Sequence, residues 1–238
     1  MTTIDTKQRT TATETMDDFS MEGEILRDAL DKIAKINQLL GGNALTVRGV
    51  KKLLHGVPKS QVVTIVDVGC GNGDMLRELA EFGKSNDRLF NLIGIDANQF
   101  TVNHAESLSE AYPNISYRCK NVFDLDFANL NPDIVLCTLT LHHFRDDEIL
   151  TLTRKFKEYA AIGVVINDLH RSKLAYRLFQ LVCSVFGLND MSREDGLVSI
   201  LRGFKKEELT AFSKQLNLKK YSIRWKWAFR YQWIISNI

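Results

Sequence analysis

The stretch Val62-Val63-Thr64-Ile65-Val66-Asp67-Val68-Gly69-Cys70-Gly71-Asn72-Gly73-Asp74 decides the fold. Its first five residues favour β-structure and four of them are Val or Ile, as in a parallel strand buried on both faces. Three glycines at alternate positions follow, and then comes a helical pattern that ends near Gly83. A strand, a glycine turn and a helix form the first half of a nucleotide-binding βαβ unit.

The glycine spacing discriminates between possible ligands. A dinucleotide fingerprint, G-x-G-x-x-G, needs its third glycine at position 74, where this chain has Asp. A phosphate-binding loop needs Lys and then Ser or Thr after the glycines, and neither is present. The pattern Asp67-x-Gly69-x-Gly71-x-Gly73 matches neither of these phosphate-binding motifs. The alternative is a glycine turn that binds nothing.

Length and composition limit the class of protein. The 238 residues suffice for one large α/β domain, and the net charge of +2 argues against a nucleic-acid partner. Four widely spaced cysteines form no C-x-x-C pair, which predicts reduced thiols and a cytoplasmic location. An apolar N-terminal signal and an apolar run of about 20 residues are both missing, so no transmembrane segment is predicted.

Three regions are predicted along the chain. Residues 1–17 are poor in apolar residues and are expected to form a mobile tail. Residues 18–57 form an N-terminal helical cap, which either covers a bound ligand or packs against the sheet. Residues 58–238 form the main domain, with a helical insertion at about 172–203.

Four further strands with intervening helices are predicted at 89–95, 115–119, 133–138 and 162–167. Asp96 follows the second strand, 23 residues after Gly73, where an acidic residue can accept hydrogen bonds from both ribose hydroxyls. Its alternative role is a helix cap. Other chemically competent residues follow strands four and five and would meet at the same edge of the sheet: His142, His143, Asp168 and His170.

The C-terminal third begins with a helix at 172–187 that has a wide apolar stripe flanked by Tyr176, Phe179 and Phe186. A polar segment, Asn189 to Gly196, follows, and a further helix is predicted near 206–216. Apolar and aromatic residues then alternate from Tyr221 to Ile235, which predicts an antiparallel hairpin that bends within 226–230.

These motifs together resemble class I S-adenosylmethionine (SAM)-dependent methyltransferases, most closely the ubiquinone/menaquinone-biosynthesis type. The resemblance rests on Val66 to Gly73, on Gly94-Ile95-Asp96 and on Leu141-His142-His143-Phe144. The stretch 167–171 resembles bacterial relatives associated with phenolic or polyketide products. The resemblance implies an α/β, Rossmann-like sheet of seven strands. That sheet is mostly parallel with an antiparallel last strand, and it has helices on both faces and an N-terminal helical prefix.

The resemblance also implies SAM as cofactor and S-adenosylhomocysteine as product. The family has Asp at the position of Asn121, where it holds the adenine amine. An Asn amide can still accept from that amine and donate to a ring nitrogen, and Asp124 is the alternative residue for this role. The predicted cofactor-binding residues are Asp67, Gly69, Cys70, Gly71, Gly73, Asp96, Ala97, Asn121, Val122, Phe123 and Thr138.

The implied reaction is methyl transfer to a small apolar or aromatic acceptor of phenolic, quinone-like or polyketide-like type, with O-methylation favoured over C-methylation. A hydroxyl must lose its proton, and His142 or His170 is the candidate base, with Asp168 orienting it or sharing the task. Each of these side chains could instead be structural. The histidines have no metal-ligand spacing, so no metal is predicted.

Two other functions compete with this one. An NAD-type oxidoreductase is disfavoured by Asp74. A SAM-binding regulatory or partner subunit without catalysis is the alternative from a different class. The expected partner is a small-molecule acceptor, and the chain is expected to be a monomer or a homodimer.

Overall fold

The computed structural model describes residues 4–238 and contains a seven-stranded sheet with the order β3-β2-β1-β4-β5-β7-β6. Strands β1 to β5 are mutually parallel, and β7 pairs antiparallel with both β5 and β6. The fold class predicted from the sequence is confirmed. The strands are β1 (Val62–Val68), β2 (Leu89–Asp96), β3 (Ile115–Cys119), β4 (Ile134–Thr138), β5 (Gly163–Leu169), β6 (Tyr221–Lys226) and β7 (Arg230–Ser236).

Helices connect the strands and precede them. Short 3-10 helices are also present at Thr15–Asp17, Val122–Asp124 and Leu141–His143. Within residues 4–238, no helix is long and apolar enough to cross a membrane. The α-helices are α1 (Glu24–Leu39), α2 (Gly42–Leu53), α3 (Asp74–Ser85), α4 (Gln99–Leu108), α5 (Phe127–Leu130), α6 (Asp146–Tyr159), α7 (Lys173–Phe186), α8 (Asp190–Arg202) and α9 (Lys206–Gln215).

Strand β1 is buried on both faces, because successive side chains of a strand point to opposite sides of the sheet. Val66 and Val68 belong to one hydrophobic cluster, whereas Val63 and Ile65 belong to the other. This explains why the strand reads as a continuous apolar run and not as an alternating one.

Helices pack on each face. Phe156 of α6 and Leu209 of α9 lie in the first cluster, and Val50 of α2 and Leu76 of α3 lie in the second. The strand order reverses between β1 and β4, so a crevice opens at the carboxyl ends of these strands.

The polar segment at 189–196 forms the first half of α8. The Asn189 side chain caps this helix by accepting a hydrogen bond from the Ser192 backbone N–H. Asp195 is buried in the structure because it accepts hydrogen bonds from the backbone N–H groups of Thr15 and Met16. Part of the polar composition of the segment therefore reflects a buried polar contact, whereas Asp190, Arg193 and Glu194 are exposed.

The N-terminal segment (residues 4–20) differs from the mobile tail predicted for residues 1–17, of which residues 1–3 lie outside the described part of the chain. Arg9 donates hydrogen bonds to the carbonyl oxygens of His142, Phe144 and Arg202, each at 2.8 Å. Glu14 has only 6% of its surface exposed. The segment carries few apolar side chains because polar contacts, and not hydrophobic burial, attach it to the domain.

Candidate functional site

A cavity of about 870 Å³ lies beyond the carboxyl ends of the central strands. Its glycine-turn side is formed by the residues that follow β1, β2, β3 and β4. Its apolar side is formed by α1, α7 and the turn between β6 and β7, with Leu26, Leu30, Ile33, Leu178, Phe179, Leu181, Val182 and Trp227 among the lining residues. We call the whole space the main cavity.

The glycine turn bends sharply at the end of β1. Gly69, Gly71 and Gly73 all have positive φ, at +70°, +52° and +77°, a region that glycine adopts without strain. A Cβ at Gly69 would collide with Thr140, and one at Gly73 would collide with the Tyr117 hydroxyl. Gly73 is the N-cap residue that precedes α3 and is absent from the cavity wall, so it shapes the turn but does not line the predicted site.

Asp96 joins the glycine turn to the end of β2. Its Oδ2 accepts a hydrogen bond from the Gly71 N–H at 3.1 Å, and its Oδ1 accepts one from the Asn98 N–H at 3.1 Å. Burial raises the pKa of Asp96, and the backbone donors oppose that shift. The carboxylate is thus fixed at the cavity wall, beside the turn.

The other predicted cofactor contacts line the same side of the main cavity: Cys70, Ala97, Asn121, Val122, Phe123 and Thr138. The Asn121 Oδ1 accepts a hydrogen bond from the Phe123 N–H at 3.0 Å and so caps the 3-10 helix Val122–Asp124. One lone pair of that oxygen and the amide N–H groups remain for a ligand. Asp124, the alternative to Asn121, is exposed and does not line the cavity.

Asp67 is buried at the end of β1 with 2% of its surface exposed, and its Oδ1 has no hydrogen-bond partner. Burial raises the pKa of Asp67 to about 8, and the nearby Asp74 and Asp96 carboxylates add to the shift. An unpaired carboxyl oxygen beside the glycine turn fits a ligand that carries a cationic amino group and no phosphate.

The ends of β4 and β5 bring His142 and Asp168 together. The Asp168 Oδ1 lies 2.7 Å from the His142 Nδ1, and its Oδ2 accepts from the His142 backbone N–H at 3.1 Å. Burial alone would raise the pKa of Asp168, but His142 and the backbone donors hold it below its ordinary value. An ionised Asp168 accepts the Nδ1–H, so the free lone pair of the imidazole is on Nε2.

The N-terminal segment brings two further carboxylates close to His142 and His143. The Glu14 Oε1 lies 3.7 Å from the His142 Nε2, and the Asp17 Oδ1 lies 2.6 Å from the His143 Nδ1. Arg202 of α8 contacts Glu14 at 3.3 Å and Asp17 at 2.6 Å. Sequence spacing did not find this cluster, because residues 14–17 and 142–143 are far apart in the chain.

Glu14, His142 and His143 form a group in which three possible metal ligands lie within 4.8 Å of one another. The Arg202 guanidinium, however, already compensates the charge of Glu14, and the Asp17 carboxylate already engages His143. A cation placed among them would lie beside the guanidinium. We therefore interpret the cluster as a network of ion pairs and hydrogen bonds.

His170 lies at the other end of the cavity, after β5. Its Nδ1 accepts a hydrogen bond from the Trp225 Nε1–H at 3.1 Å, and its ring packs edge-on against Tyr231. Burial, followed by the charge of Arg171, lowers the pKa of His170 and favours the neutral ring. Because Nδ1 accepts, the proton of the neutral ring is on Nε2, which is then a donor and not a base.

Helix α7 supplies the apolar wall only in part. Phe179, Leu178 and Val182 line the main cavity, whereas Tyr176 and Phe186 do not. Phe179 packs closely against Gly196 of α8, where a Cβ would collide with the phenyl ring. Sequence reasoning missed Trp227, since its position indicated only a hairpin bend.

Comparison with known proteins supplies the family. Residues 65–163 match the family model of a methyltransferase domain. Residues 65–163 therefore carry a methyltransferase domain. A search of curated proteins finds no match to the chain.

Solved structures of methyltransferases share the fold. The plantazolicin methyltransferase BpumL, solved with S-adenosylhomocysteine, has 16% identity and a TM-score of 0.66 over 88% of this chain and 89% of its own. The magnesium protoporphyrin IX methyltransferase from Synechocystis PCC 6803 has 16% identity and a TM-score of 0.54 over 82% of each chain. A putative O-methyltransferase from Nostoc punctiforme PCC 73102 has 15% identity and a TM-score of 0.57 over 85% of this chain and 58% of its own.

SAM is the cofactor of this methyltransferase, and S-adenosylhomocysteine is its product. The positive-φ glycine turn and the unpaired Asp67 oxygen fit such a ligand, which has an amino-acid tail and no phosphate. When bound, SAM supplies an activated methyl group on a sulfonium. The predictions of a methyltransferase and of its cofactor are thereby confirmed.

Proposed function

We propose that this methyltransferase transfers the methyl group to a hydroxyl oxygen of a small apolar or aromatic acceptor, of phenolic, quinone-like or polyketide-like type. The observation that carries the proposal is the continuity of the main cavity. Its glycine-turn side passes directly into a wall built from Phe179, Leu178 and Trp227. Small-molecule sites are usually largely apolar with a few convergent polar groups, and this cavity has that composition.

On the cofactor side, we assign each residue by its position. Asp96 accepts from the ribose hydroxyls, Asn121 binds the adenine amine, and Val122 with Phe123 packs against the adenine. Asp67, with Gly69 and Gly71, faces the amino-acid tail. Cys70, Ala97 and Thr138 complete the wall, and Gly73 contributes only through the shape of the turn.

On the acceptor side, His142 is the residue that finally holds the proton lost by the hydroxyl. Asp168 orients the imidazole and stabilises its protonated form, because its ionised carboxylate accepts the Nδ1–H. His170 is better suited to donate from Nε2 to an oxygen of the acceptor than to remove a proton.

The protein accelerates the reaction mainly by alignment. SAM is already activated, so holding the acceptor oxygen in line with the methyl group converts an encounter into an intramolecular step, which can contribute roughly 7 kcal/mol or more. Burial of both reactants in the main cavity also excludes water from the charged sulfur.

Calorimetry and a methyl-transfer assay test the proposal. We expect S-adenosylhomocysteine to bind with one site per chain, and Asp96→Ala to weaken it by about 3 kcal/mol, since two hydrogen bonds to a charged group are lost. A panel of phenols and polyketide-like enols should contain methylated products that mass spectrometry detects. Binding without turnover on any of them would favour the regulatory or partner subunit.

A further inference from the structure

The free nitrogen of His142 is covered. The side chain has 2% of its surface exposed, and its Nε2 is inaccessible to solvent and without a hydrogen-bond partner. The group nearest to it on the N-terminal segment is the Glu14 carboxylate, with Oε1 at 3.7 Å. Both His142 and Glu14 line the main cavity, and Nε2 itself is buried beside the Glu14 carboxylate.

Glu14 is arranged to handle a proton. Burial raises the pKa of Glu14 above its ordinary value, and the charge of His143, followed by the Ser199 and Arg202 contacts, opposes the shift. The Ser199 hydroxyl donates to Oε2 at 2.6 Å, which leaves Oε1 with the Arg202 contact at 3.3 Å and longer contacts to His142 at 3.7 Å and His143 at 3.9 Å. Oε1 therefore has a lone pair free beside His142, on a residue that lines the main cavity.

Resting on the proposed function, we propose that Glu14 is a catalytic residue: its carboxylate takes the proton of the acceptor hydroxyl and passes it to His142 Nε2. The acceptor O–H bond breaks as the carboxyl O–H bond forms, and the oxygen takes the methyl group while the sulfonium becomes a thioether. The proton then rests on the imidazole, between Asp168 and Glu14, and leaves to solvent after product release. Atoms and charge balance without another reactant.

The test compares acceptors of one shape and different acidity. A simple phenol needs its proton removed, whereas a nitro-substituted phenol is already largely ionised in neutral buffer. In single-turnover assays, Glu14→Gln should slow methylation of the simple phenol by about 100-fold, as loss of a general base does. The deficit should shrink at least about tenfold with the nitrophenol, because no proton then has to be accepted.

Asp17→Asn is the matched control. Asp17 lies on the same segment and contacts the same Arg202 at 2.6 Å, but its other oxygen binds His143 and does not face His142 Nε2. If this segment only closes the cavity, each variant should slow the methylation of both acceptors by the same factor. An equal deficit for both acceptors in Glu14→Gln would overturn the proposal, provided that the variant binds S-adenosylhomocysteine normally.

A readout without turnover keeps the proposal separate from the choice of acceptor. Nitrogen NMR of the His142 imidazole reports the hydrogen-bond state of Nε2, which lies beside Asp168, Glu14, His143 and Arg202, with Arg9 on its carbonyl oxygen. The Nε2 resonance should shift in Glu14→Gln, because the carboxylate next to that nitrogen is replaced by an amide. An unchanged Nε2 resonance would overturn the proposal even if no phenol is a substrate, whereas a shifted resonance with no methylation of any acceptor would count against the proposed function alone.

Discussion

Replacing Asp67 by Asn should change how the stability of the protein depends on pH. The carboxyl is buried, one of its oxygens is unpaired, and its pKa is raised from 3.8 to about 8. Between pH 5 and pH 8 the unfolded chain has released this proton, while the folded chain still holds it. A rise in pH over this range therefore favours the unfolded state.

The magnitude follows from the shift. Each pH unit in that window changes the free energy of unfolding by about 1.4 kcal/mol, so the three units from pH 5 to pH 8 correspond to at most about 4 kcal/mol. The amide that replaces the carboxyl has nearly the same shape and no proton to lose. We expect Asp67→Asn to remove most of this loss, whatever its stability at pH 5.

Urea unfolding at pH 5, 6.5 and 8 measures the effect. The quantity compared is the difference in unfolding free energy between wild type and Asp67→Asn at each pH, in which the titration of other groups largely cancels. That difference should move in favour of the variant as the pH rises. Parallel pH dependence of the two proteins would show that Asp67 is ionised in the native state and would refute the reasoning.

Phe179→Ala should raise the acceptor KM by about tenfold, since one large apolar contact contributes roughly 1–3 kcal/mol, and should leave S-adenosylhomocysteine affinity unchanged; an equal loss of thermal stability and cofactor affinity would assign the side chain to the core instead. Gly73→Ala should lower the free energy of unfolding by about 3 kcal/mol or more, from positive φ plus collision with Tyr117. Gly187→Ala is its control, with positive φ and open space, and should cost about 1 kcal/mol. Urea unfolding compares the two, and equal losses would contradict the collision.

Local sequence rules predicted the sheet because each central strand is specified within a few residues of itself. Val62 to Val68 needs no distant partner to be read as a buried strand, and the glycine turn ends it. Asp96 was predicted for the same reason, since the turn and the strand end have a nearly fixed separation in such units. In the structure, the Gly71 N–H donates a hydrogen bond to Asp96, so the turn and the end of β2 lie side by side as that separation requires.

The same local rules could not predict contacts between residues that are far apart in the sequence. Glu14 and Arg202 are 188 residues apart, and nothing around Glu14 distinguishes it from a solvated carboxylate. His170 shows the converse case, because its position after β5 was predicted from topology, whereas its donor tautomer depends on Trp225. Which side chain carries a proton depends on such partners, and partners are set by the tertiary fold.

The attachment of the N-terminal segment has a consequence for how the molecule opens. Its contacts are hydrogen bonds and ion pairs to Asp195, Arg202 and the 3-10 helix Leu141–His143, while the sheet is held by two hydrophobic clusters. Local unfolding begins where few apolar contacts must be broken. Amide hydrogens at residues 10–17 should exchange with deuterium faster than those of β1, and faster still at high salt. The acceptor side of the cavity would then open and close by local unfolding, independently of the cofactor side.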